Sequence, residues 1–321
     1  MKIYFSHKRG NYTKNTKSGS ATFIDKFYKF MDEEGIEVTN DFNDSFDIHF
    51  ALFCDGNAII SKNRGKKVVT RVDGLYSPAC GGDWKKINDL ISETVKVSDH
   101  TIFLNKYCLD TFNHFSGFTP ENYSFIPNGC DNDIFKPPIT KKFNNNILFY
   151  GEVRRFIQIK TVVKSIDLVR EKIPDAELWI VGDIKPEFRM GIPDKPYIKL
   201  IGAIKNCDLP KYADQCSVMG MCSSKAADHS TVSECLCCGL PVVCYDDGGC
   251  HYKIGDAGII LESEYYGWDR FAENNPENYA NALVKVLKDK HAYYIKALKT
   301  RESLSLSLMK QKYLEVLKNV L

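Results

Sequence analysis

The chain has 321 residues, which is long enough for two domains with a hydrophobic core each. Hydrophobic residues make up 44% of the chain and charged residues 26%, values that are typical of a globular protein and exclude a disordered or fibrous one. The formal net charge of +2 is small, so charge offers no argument for binding to nucleic acid or to an anionic membrane.

The sequence contains no apolar run of about 18 residues, so we expect no transmembrane segment. Its first residues also lack the apolar stretch of a signal peptide. The 12 cysteines do not form the paired pattern of a zinc site or of a disulfide framework. Buried free thiols in a reducing compartment are the simpler interpretation, because cysteine packs like a small hydrophobic side chain. We therefore expect a cytoplasmic protein.

The first half of the chain alternates strand-like and helix-like patterns. Residues 3–5 form a short apolar run, and residues 21–34 carry large apolar side chains at helical spacing before Gly35 stops the pattern. Another apolar run follows at 46–53. A strand, a glycine-bearing loop and a helix in this order are typical of the start of a doubly wound sheet. The glycine-rich dinucleotide fingerprint is absent from the sequence, so a dinucleotide-binding domain has no support.

Asp73 stands where a predicted strand ends. The run at 68–72 is largely apolar, and Asp73 and a glycine follow it directly. Open α/β sheets bind ligands outside the carboxyl ends of their strands, which makes Asp73 a candidate functional acid. A plain turn-forming aspartate is the open alternative.

The first half closes with a proline-marked segment. Helices are predicted at 84–97 and 105–115, with a short strand between them. Residues 123–137 then read YSFIPNGCDNDIFKP, in which Pro-Asn-Gly is a turn by its own chemistry. Pro137, Pro138 and the polar residues that follow favour a linker between domains.

The second half repeats the strand–helix alternation. A strand pattern at 147–151 ends in glycine, and a basic stretch leads from it into a helical pattern at 160–172. Further strand patterns stand at 176–181, 197–201 and 218–222, with a short helix at 209–216. We therefore predict a second doubly wound α/β domain, followed by a helical tail.

The stretch 223–249, SSKAADHSTVSECLCCGLPVVCYDDGG, is the most informative part of the chain. A polar loop leads into a short predicted helix at 231–238, which carries one acid, Glu234. A Gly-Leu-Pro stop and an apolar strand follow. The loop-to-helix start at Ser230 and Thr231 presents unpaired backbone N–H groups and a positive dipole end, so it can bind an anion.

Two motifs of this sequence resemble one enzyme family. They are IPNGCD with a later F-x-P at 126–137, and an acid followed by CGLPVV at 234–243. In this order they resemble the retaining glycosyltransferases of family 4, which have the GT-B fold, and the resemblance spans almost the whole chain. It implies an α/β protein of two doubly wound, Rossmann-like domains that face each other across a cleft.

The resemblance assigns a nucleotide-sugar site to the stretch around Glu234. In the family, the second acid of the signature binds the ribose hydroxyls, while a first acid and a Gly-rich turn bind the donor sugar and the diphosphate. Glu234 matches the second acid. Ala226 stands where the first acid is expected, and the turn reads Ala-Asp-His. We expect Asp228 or His229 to take over the contacts with the sugar.

The family's diphosphate cations are displaced in this chain. Glu152 follows Gly151 where an arginine is expected, and no lysine stands six or seven positions after that glycine. Long cationic side chains can bind phosphate from displaced positions, although a solvated helix start is the alternative. The predicted diphosphate ligands are Arg155 and Lys160, with Arg154 in reserve.

Two further contacts come from the resemblance alone. It places Gly19, in the loop Ser18–Ser20, at the cleft, where an acceptor or phosphate contact and a plain surface loop are both open. It also places the backbone near Ile204 at the nucleotide base. The catalytic candidates are Asp73, Asp228, Arg155 and Lys160. The donor-binding candidates are Gly19, Gly151, Arg154, Arg155, Lys160, Ile204, His229, Ser230, Thr231 and Glu234.

The resemblance implies a retaining transfer of a hexose from a nucleoside diphosphate sugar to a glycan or lipid-linked acceptor. GDP-mannose is the first donor to expect, because mannosyltransferases are frequent in the family, and UDP-glucose stays open. We expect neither a cofactor nor a metal, since cations take the place of a metal at the diphosphate. A sugar-nucleotide-binding protein without transferase activity is the main alternative, and a sugar-nucleotide epimerase a weaker one.

The expected organisation follows from the linker and the resemblance. The first domain should cover residues 1–138, with the last helix, about 302–321, packing back on it. The second, nucleotide-sugar-binding domain should cover residues 139–301. The expected partners are the donor and the acceptor, without nucleic acid, and the sequence leaves the oligomeric state open.

Overall fold

The computed structural model describes residues 1–9, 19–153 and 155–321. Two compact units are present, one formed by Met1–Asn128 with Ser307–Leu321 and the other by Gly129–Leu306. The units join at Asn128–Gly129, earlier in the chain than the expected boundary at 138.

The first unit is built on a six-stranded parallel sheet with the strand order β2-β1-β3-β4-β5-β6. Its strands are β1 (Lys2–Tyr4), β2 (Glu37–Thr39), β3 (Ile48–Leu52), β4 (Lys67–Val72), β5 (His100–Phe103) and β6 (Tyr123–Phe125). Its helices are α1 (Gly19–Glu33), α2 (Asn57–Asn63), α3 (Trp84–Lys96), α4 (Lys106–Ser116) and α11 (Leu306–Val320). The last of these is the final helix of the chain and is numbered accordingly.

Aromatic side chains fill the core of the first unit. On α1, the buried side chains recur three and four residues apart, which is the spacing of one helix face. Among them, Phe27 stacks on Phe50 of β3 at a ring-centroid distance of 4.4 Å. Phe23 lies 5.6 Å from the ring of Tyr313 on α11. These contacts attach the C-terminal helix to the first unit.

The second unit has a parallel sheet with the strand order β12-β11-β10-β7-β8-β9. Its strands are β7 (Asn146–Tyr150), β8 (Glu177–Val181), β9 (Ile198–Gly202), β10 (Val218–Gly220), β11 (Val242–Tyr245) and β12 (Gly258–Leu261). Its helices are α5 (Ile157–Lys172), α6 (Pro186–Arg189), α7 (Leu209–Asp214), α8 (Ser230–Cys237), α9 (Pro276–Lys288) and α10 (Lys290–Lys299).

Each sheet has one point at which the direction of chain winding reverses. In the second sheet the chain runs from β7 through β8 to β9 on one side, and from β10 through β11 to β12 on the other. The reversal therefore lies between the neighbouring strands β7 and β10. In the first sheet it lies between β1 and β3. Both sheets are doubly wound and entirely parallel, which confirms the predicted fold class.

Candidate functional site

The carboxyl ends of β7 and β10 mark the candidate site of the second unit. Open α/β sheets bind ligands at the point where the winding reverses, outside the carboxyl ends of the strands. The chain leaves β7 at Gly151, and it leaves β10 at Met221. The two exits touch, because the Cys222 thiol lies 3.1 Å from the carbonyl oxygen of Gln158 at the start of α5. Residues 151–153, 155–160 and 222–230 therefore line one edge of the sheet.

Two glycines bring neighbouring strand ends into close contact at this edge. A Cβ on Gly182, which follows β8, would lie 2.0 Å from the carbonyl oxygen of Gly151. Gly182 has φ +141° and Gly151 has φ +152°, values that favour glycine. The backbone of the predicted donor contact Gly151 thus lies against Gly182, where there is no room for a side chain.

The Glu234 carboxylate is held beside this edge by a polar network. Glu234 lies on α8 with 9% of its surface exposed. The side-chain amide of Asn206 donates one hydrogen bond to Glu234 Oε2 and another to the hydroxyl of Tyr150, each at 3.0 Å. Burial raises the pKa of Tyr150, and the nearby Glu234 charge adds to the effect, so the phenol stays protonated. Its O–H can donate while its oxygen accepts from Asn206.

Ile204, the predicted base contact, belongs to the same loop as Asn206. The loop leaves β9 after Gly202, and Ile204 is partly buried against the hydrophobic cluster that includes α8. Asn206 therefore links the predicted base-binding loop to the predicted ribose-binding acid through one side chain.

The start of α8 provides backbone donors for an anion. His229 precedes the helix with extended backbone, and no side chain caps the helix start. The hydroxyl oxygen of Thr231 is buried and has no hydrogen-bond partner in the described part of the chain. Together with the positive end of the helix dipole, these groups suit an anionic ligand.

Asp228 forms a buried ion pair with Lys253 and is thereby held inside the unit. Neither side chain exposes more than 2% of its surface. Lys253 also donates to the Ser233 hydroxyl at 2.8 Å, so the pair fastens the segment after β11 to α8. Burial lowers the pKa of the neighbouring His229; the Asp228 charge opposes this shift and the Lys253 charge adds to it.

The backbone of Ala226, the residue that stands where the family's first acid is expected, contacts the glycine pair after β11. The carbonyl oxygen of Ala226 accepts a hydrogen bond of 2.7 Å from the N–H of Gly249. A Cβ on Gly248 would lie 2.8 Å from that same oxygen. The Gly-Gly pair after β11 therefore allows the loop before α8 to approach its backbone.

The predicted phosphate cations each have a protein partner. The Arg155 guanidinium lies over the Phe271 ring, 5.1 Å from its centroid. The Lys160 ammonium lies 2.7 Å from the carboxylate of Glu273, and both side chains line a cavity of about 400 Å³ between α5 and the start of α9. Arg154 falls outside the described residues.

Asp73, one of the two candidates of the first unit, lies beside a buried arginine. Asp73 Oδ1 lies 3.0 Å from Nη2 of Arg71, and the same nitrogen donates to Asn128 of the Pro-Asn-Gly turn at 3.0 Å. Arg71 is 1% exposed and lies over the ring of Phe23. Gly19 is the first residue of α1, and Ser18 falls outside the described residues.

The second unit also matches a known family. Residues 144–289 match the family model described as glycosyl transferases group 1. This match covers the reversal point of the second sheet, the Glu234 network and the start of α8. No curated protein matches the chain.

Solved structures with the same fold cover nearly the whole chain. HepE from Anabaena, in complex with UDP and glucose, has a TM-score of 0.74 and 15% identity over 99% of this chain and 100% of that one. Sucrose-phosphate synthase from Thermosynechococcus elongatus has a TM-score of 0.74 and 13% identity, covering 99% and 98%. The pneumococcal O-GlcNAc transferase GtfA, in complex with UDP and GlcNAc, has a TM-score of 0.66 and 14% identity, covering 85% and 57%. These likenesses confirm the predicted GT-B fold.

The structure brings most of the donor-binding candidates of the second unit to one sheet edge. Sequence reasoning missed Tyr150, Asn206 and Lys253 of the second unit, and it missed Arg71 of the first unit. Asn206 and Lys253 stand far from Glu234 and Asp228 in the chain and carry no local motif, so only the fold reveals them. Within the described residues, no helix is long and apolar enough to cross a bilayer.

Proposed function

We propose that this protein is a glycosyltransferase that moves a sugar from a nucleoside diphosphate sugar to a hydroxyl acceptor. The observation that carries the proposal is the Glu234 carboxylate, held by Asn206 beside the reversal point of the second sheet. A carboxylate in this place can accept hydrogen bonds from both hydroxyl groups of a ribose. The match of residues 144–289 to the glycosyl transferases group 1 supports the same function.

The proposed mechanism stabilises the leaving diphosphate. As the sugar becomes oxocarbenium-like, negative charge gathers on the departing phosphate, and preorganised cations and N–H groups lower the barrier if they bind that charge. Arg155, Lys160 and the start of α8 are the groups proposed for this role. We further propose that no metal is needed, that the leaving phosphate takes the acceptor proton, and that the anomeric configuration is retained.

Several donors remain to be compared. GDP-mannose is the donor favoured by the family resemblance. Two of the similar structures, HepE and GtfA, were solved with UDP and a sugar, which makes UDP-glucose and UDP-GlcNAc equal candidates. A glycan or a lipid-linked sugar is the proposed acceptor.

A thermal-shift panel of GDP, UDP, ADP and their sugars, with EDTA and then with Mg²⁺, tests the donor site. A nucleotide at about 100 times its dissociation constant should stabilise the protein by about 2.7 kcal/mol. Glu234→Gln should abolish the shift, while Glu302→Gln, which changes an exposed acid in the same way, should keep it. A wild-type protein that responds to no nucleotide would contradict the proposal.

A binding protein without transferase activity is the second candidate. The observation in its favour is that Asp228, proposed to contact the sugar, is engaged with Lys253, while Ala226 replaces the first acid. An acceptor screen with the donor found above separates the two functions, since only the enzyme releases nucleoside diphosphate. NMR of the product's anomeric proton then tests retention.

A further inference from the structure

A segment rich in aromatic residues joins β12 to α9. We call residues 262–275 the aromatic segment; it reads ESEYYGWDRFAENN. It has neither helix nor strand of its own, and loops of this length in compact domains are commonly functional. Because it follows the carboxyl end of β12, it lies at the same edge of the sheet as the candidate site.

The aromatic segment contacts cations from both chain segments that line the site. Phe271 lies under the guanidinium of Arg155, which follows β7, at 5.1 Å. Tyr265 and Trp268 flank the ammonium of Lys225, which follows β10, with centroid distances of 5.4 and 5.5 Å. One connecting segment therefore holds a cation on each side of the reversal point.

The backbone of Lys225 is held in an uncommon conformation. Lys225 has φ +55°, and Phe53 is the other non-glycine residue with positive φ in the described part of the chain. A left-handed conformation is uncommon for a lysine and persists where surrounding contacts hold it. Here the Lys225 N–H donates to the carbonyl oxygen of Asp247 at 3.1 Å, which fixes the backbone.

The aromatic segment is itself anchored to the sheet edge. The Tyr266 hydroxyl lies 2.9 and 3.0 Å from the two carboxylate oxygens of Asp246, just after β11. The N–H of Ala272 donates to the Ser224 hydroxyl at 3.2 Å, in the loop after β10. Ser224 in turn bonds to the buried Asp247 carboxylate. The rings are thus fixed relative to the loops that carry the cations.

We propose that the aromatic segment positions Arg155 and Lys225 for the diphosphate of the donor, which makes Lys225 a further donor-binding residue. Long cationic side chains lose rotamer freedom when they bind a phosphate, so restricting them beforehand strengthens binding. A ring face restricts a cation without neutralising it, because the attraction is to the ring quadrupole. The segment thereby compensates for the arginine and lysine that are missing from their usual places.

Calorimetry at low and moderate salt tests this role. It compares the affinity for each nucleoside diphosphate (UDP, GDP and ADP) with that for the matching monophosphate (UMP, GMP and AMP). Trp268→Leu and Phe271→Leu should each weaken the diphosphate about two- to fivefold, the range expected for one cation–π contact, and weaken the monophosphate less. Lys225→Gln should have at least the same effect. Trp268→Phe and Phe271→Tyr keep a ring and should keep the affinity, which separates loss of the contact from damage to the fold.

The role of the aromatic segment rests on the proposed donor site. The binding experiment distinguishes failure of the donor site from failure of the positioning role. If the wild type binds none of the nucleoside diphosphates UDP, GDP and ADP, the donor site itself is overturned and the role of the aromatic segment with it. If the wild type binds one of them, but the leucine variants bind it as tightly or lose diphosphate and monophosphate affinity equally, only the positioning role is overturned.

Discussion

The side-chain amide of Asn206 donates a hydrogen bond of 3.0 Å to the carboxylate of Glu234, and its other N–H donates to the hydroxyl oxygen of Tyr150. Both N–H groups of one amide thus orient two groups at the proposed nucleotide site. Because Asn206 follows β9 and Glu234 lies on α8, this contact also fixes a loop against a helix.

Asn206→Ala should weaken nucleotide binding about three- to tenfold, since it removes a hydrogen bond worth about 1 kcal/mol that fixes the Glu234 carboxylate. The measurement is the dissociation constant of whichever nucleotide gives the largest thermal shift. Asn278→Ala makes the same change at an exposed position of α9 and should leave binding unaltered. Unchanged affinity in Asn206→Ala would show that Glu234 does not depend on this contact.

Lys253→Met should destabilise the protein by about 3–5 kcal/mol, because it leaves the buried Asp228 carboxylate without its counter-charge. Urea unfolding measures the change. The double variant Asp228→Asn, Lys253→Met should lose less than the sum of the two single losses, since neither charge is then left alone.

Asp256→Asn, at an exposed position, is the control for the acid-to-amide change. If Asp228→Asn leaves the free energy of unfolding unaltered but abolishes transfer, Asp228 acts on the sugar and the ion pair is not its main role. This outcome would favour the sequence-based prediction of a catalytic Asp228.

The fold could be predicted from the sequence because its long elements carry clear periodicity. The apolar spacing of α1 and the apolar runs of β7 and β8 are examples. Short elements could not be predicted in this way. Examples are β2 (Glu37–Thr39) and α2 (Asn57–Asn63), in which three and seven residues are too few to show a period. The polar residues that contact the candidate site residues could not be predicted for another reason. Asn206 stands 28 positions before Glu234, and such pairs meet only when the sheet forms.

Gly182→Ala should destabilise the protein far more than Gly202→Ala. Both glycines have positive φ, so alanine is strained at each position by about 1–3 kcal/mol. At Gly202 the new methyl group would meet no atom within 4 Å, whereas at Gly182 it would lie 2.0 Å from the Gly151 carbonyl oxygen. Relieving that clash requires moving backbone, so we expect an additional loss of at least about 2 kcal/mol in urea unfolding. Equal losses would show that β7 and β8 separate easily at their ends.

Acidification below about pH 6.5 should destabilise the second unit through His229. Burial lowers the pKa of His229 in the folded protein, so the unfolded chain, with a histidine pKa of about 6.5, takes up the proton first. Stability is therefore fully present above about pH 6.5 and falls as the pH drops toward the folded pKa. His229→Gln removes this proton uptake and should show a smaller loss between pH 7.5 and 5.5.

The comparison of His229→Gln with wild type separates the contribution of His229 to the loss of stability from that of the other histidines. Burial also lowers the pKa of His7 and His100 in the first unit, and they contribute equally to both proteins. His114→Gln, at an exposed position, should retain the full pH dependence. If His229→Gln loses as much stability on acidification as the wild type, burial of His229 is not the cause.

Glu273→Gln should strengthen the binding of a nucleoside diphosphate about two- to fivefold at low salt, because the Glu273 carboxylate competes with the phosphate for Lys160. The two groups lie 2.7 Å apart, and the ion pair holds the pKa of Glu273 below its usual value, so the carboxylate is charged at neutral pH. Lys160→Gln should have the opposite effect on affinity. Because Glu273 is largely exposed, the melting temperature should hardly change. Glu262→Gln, which changes an exposed acid of the same segment, is the matched control. Unchanged affinity in both Glu273→Gln and Lys160→Gln would place Lys160 outside the diphosphate site.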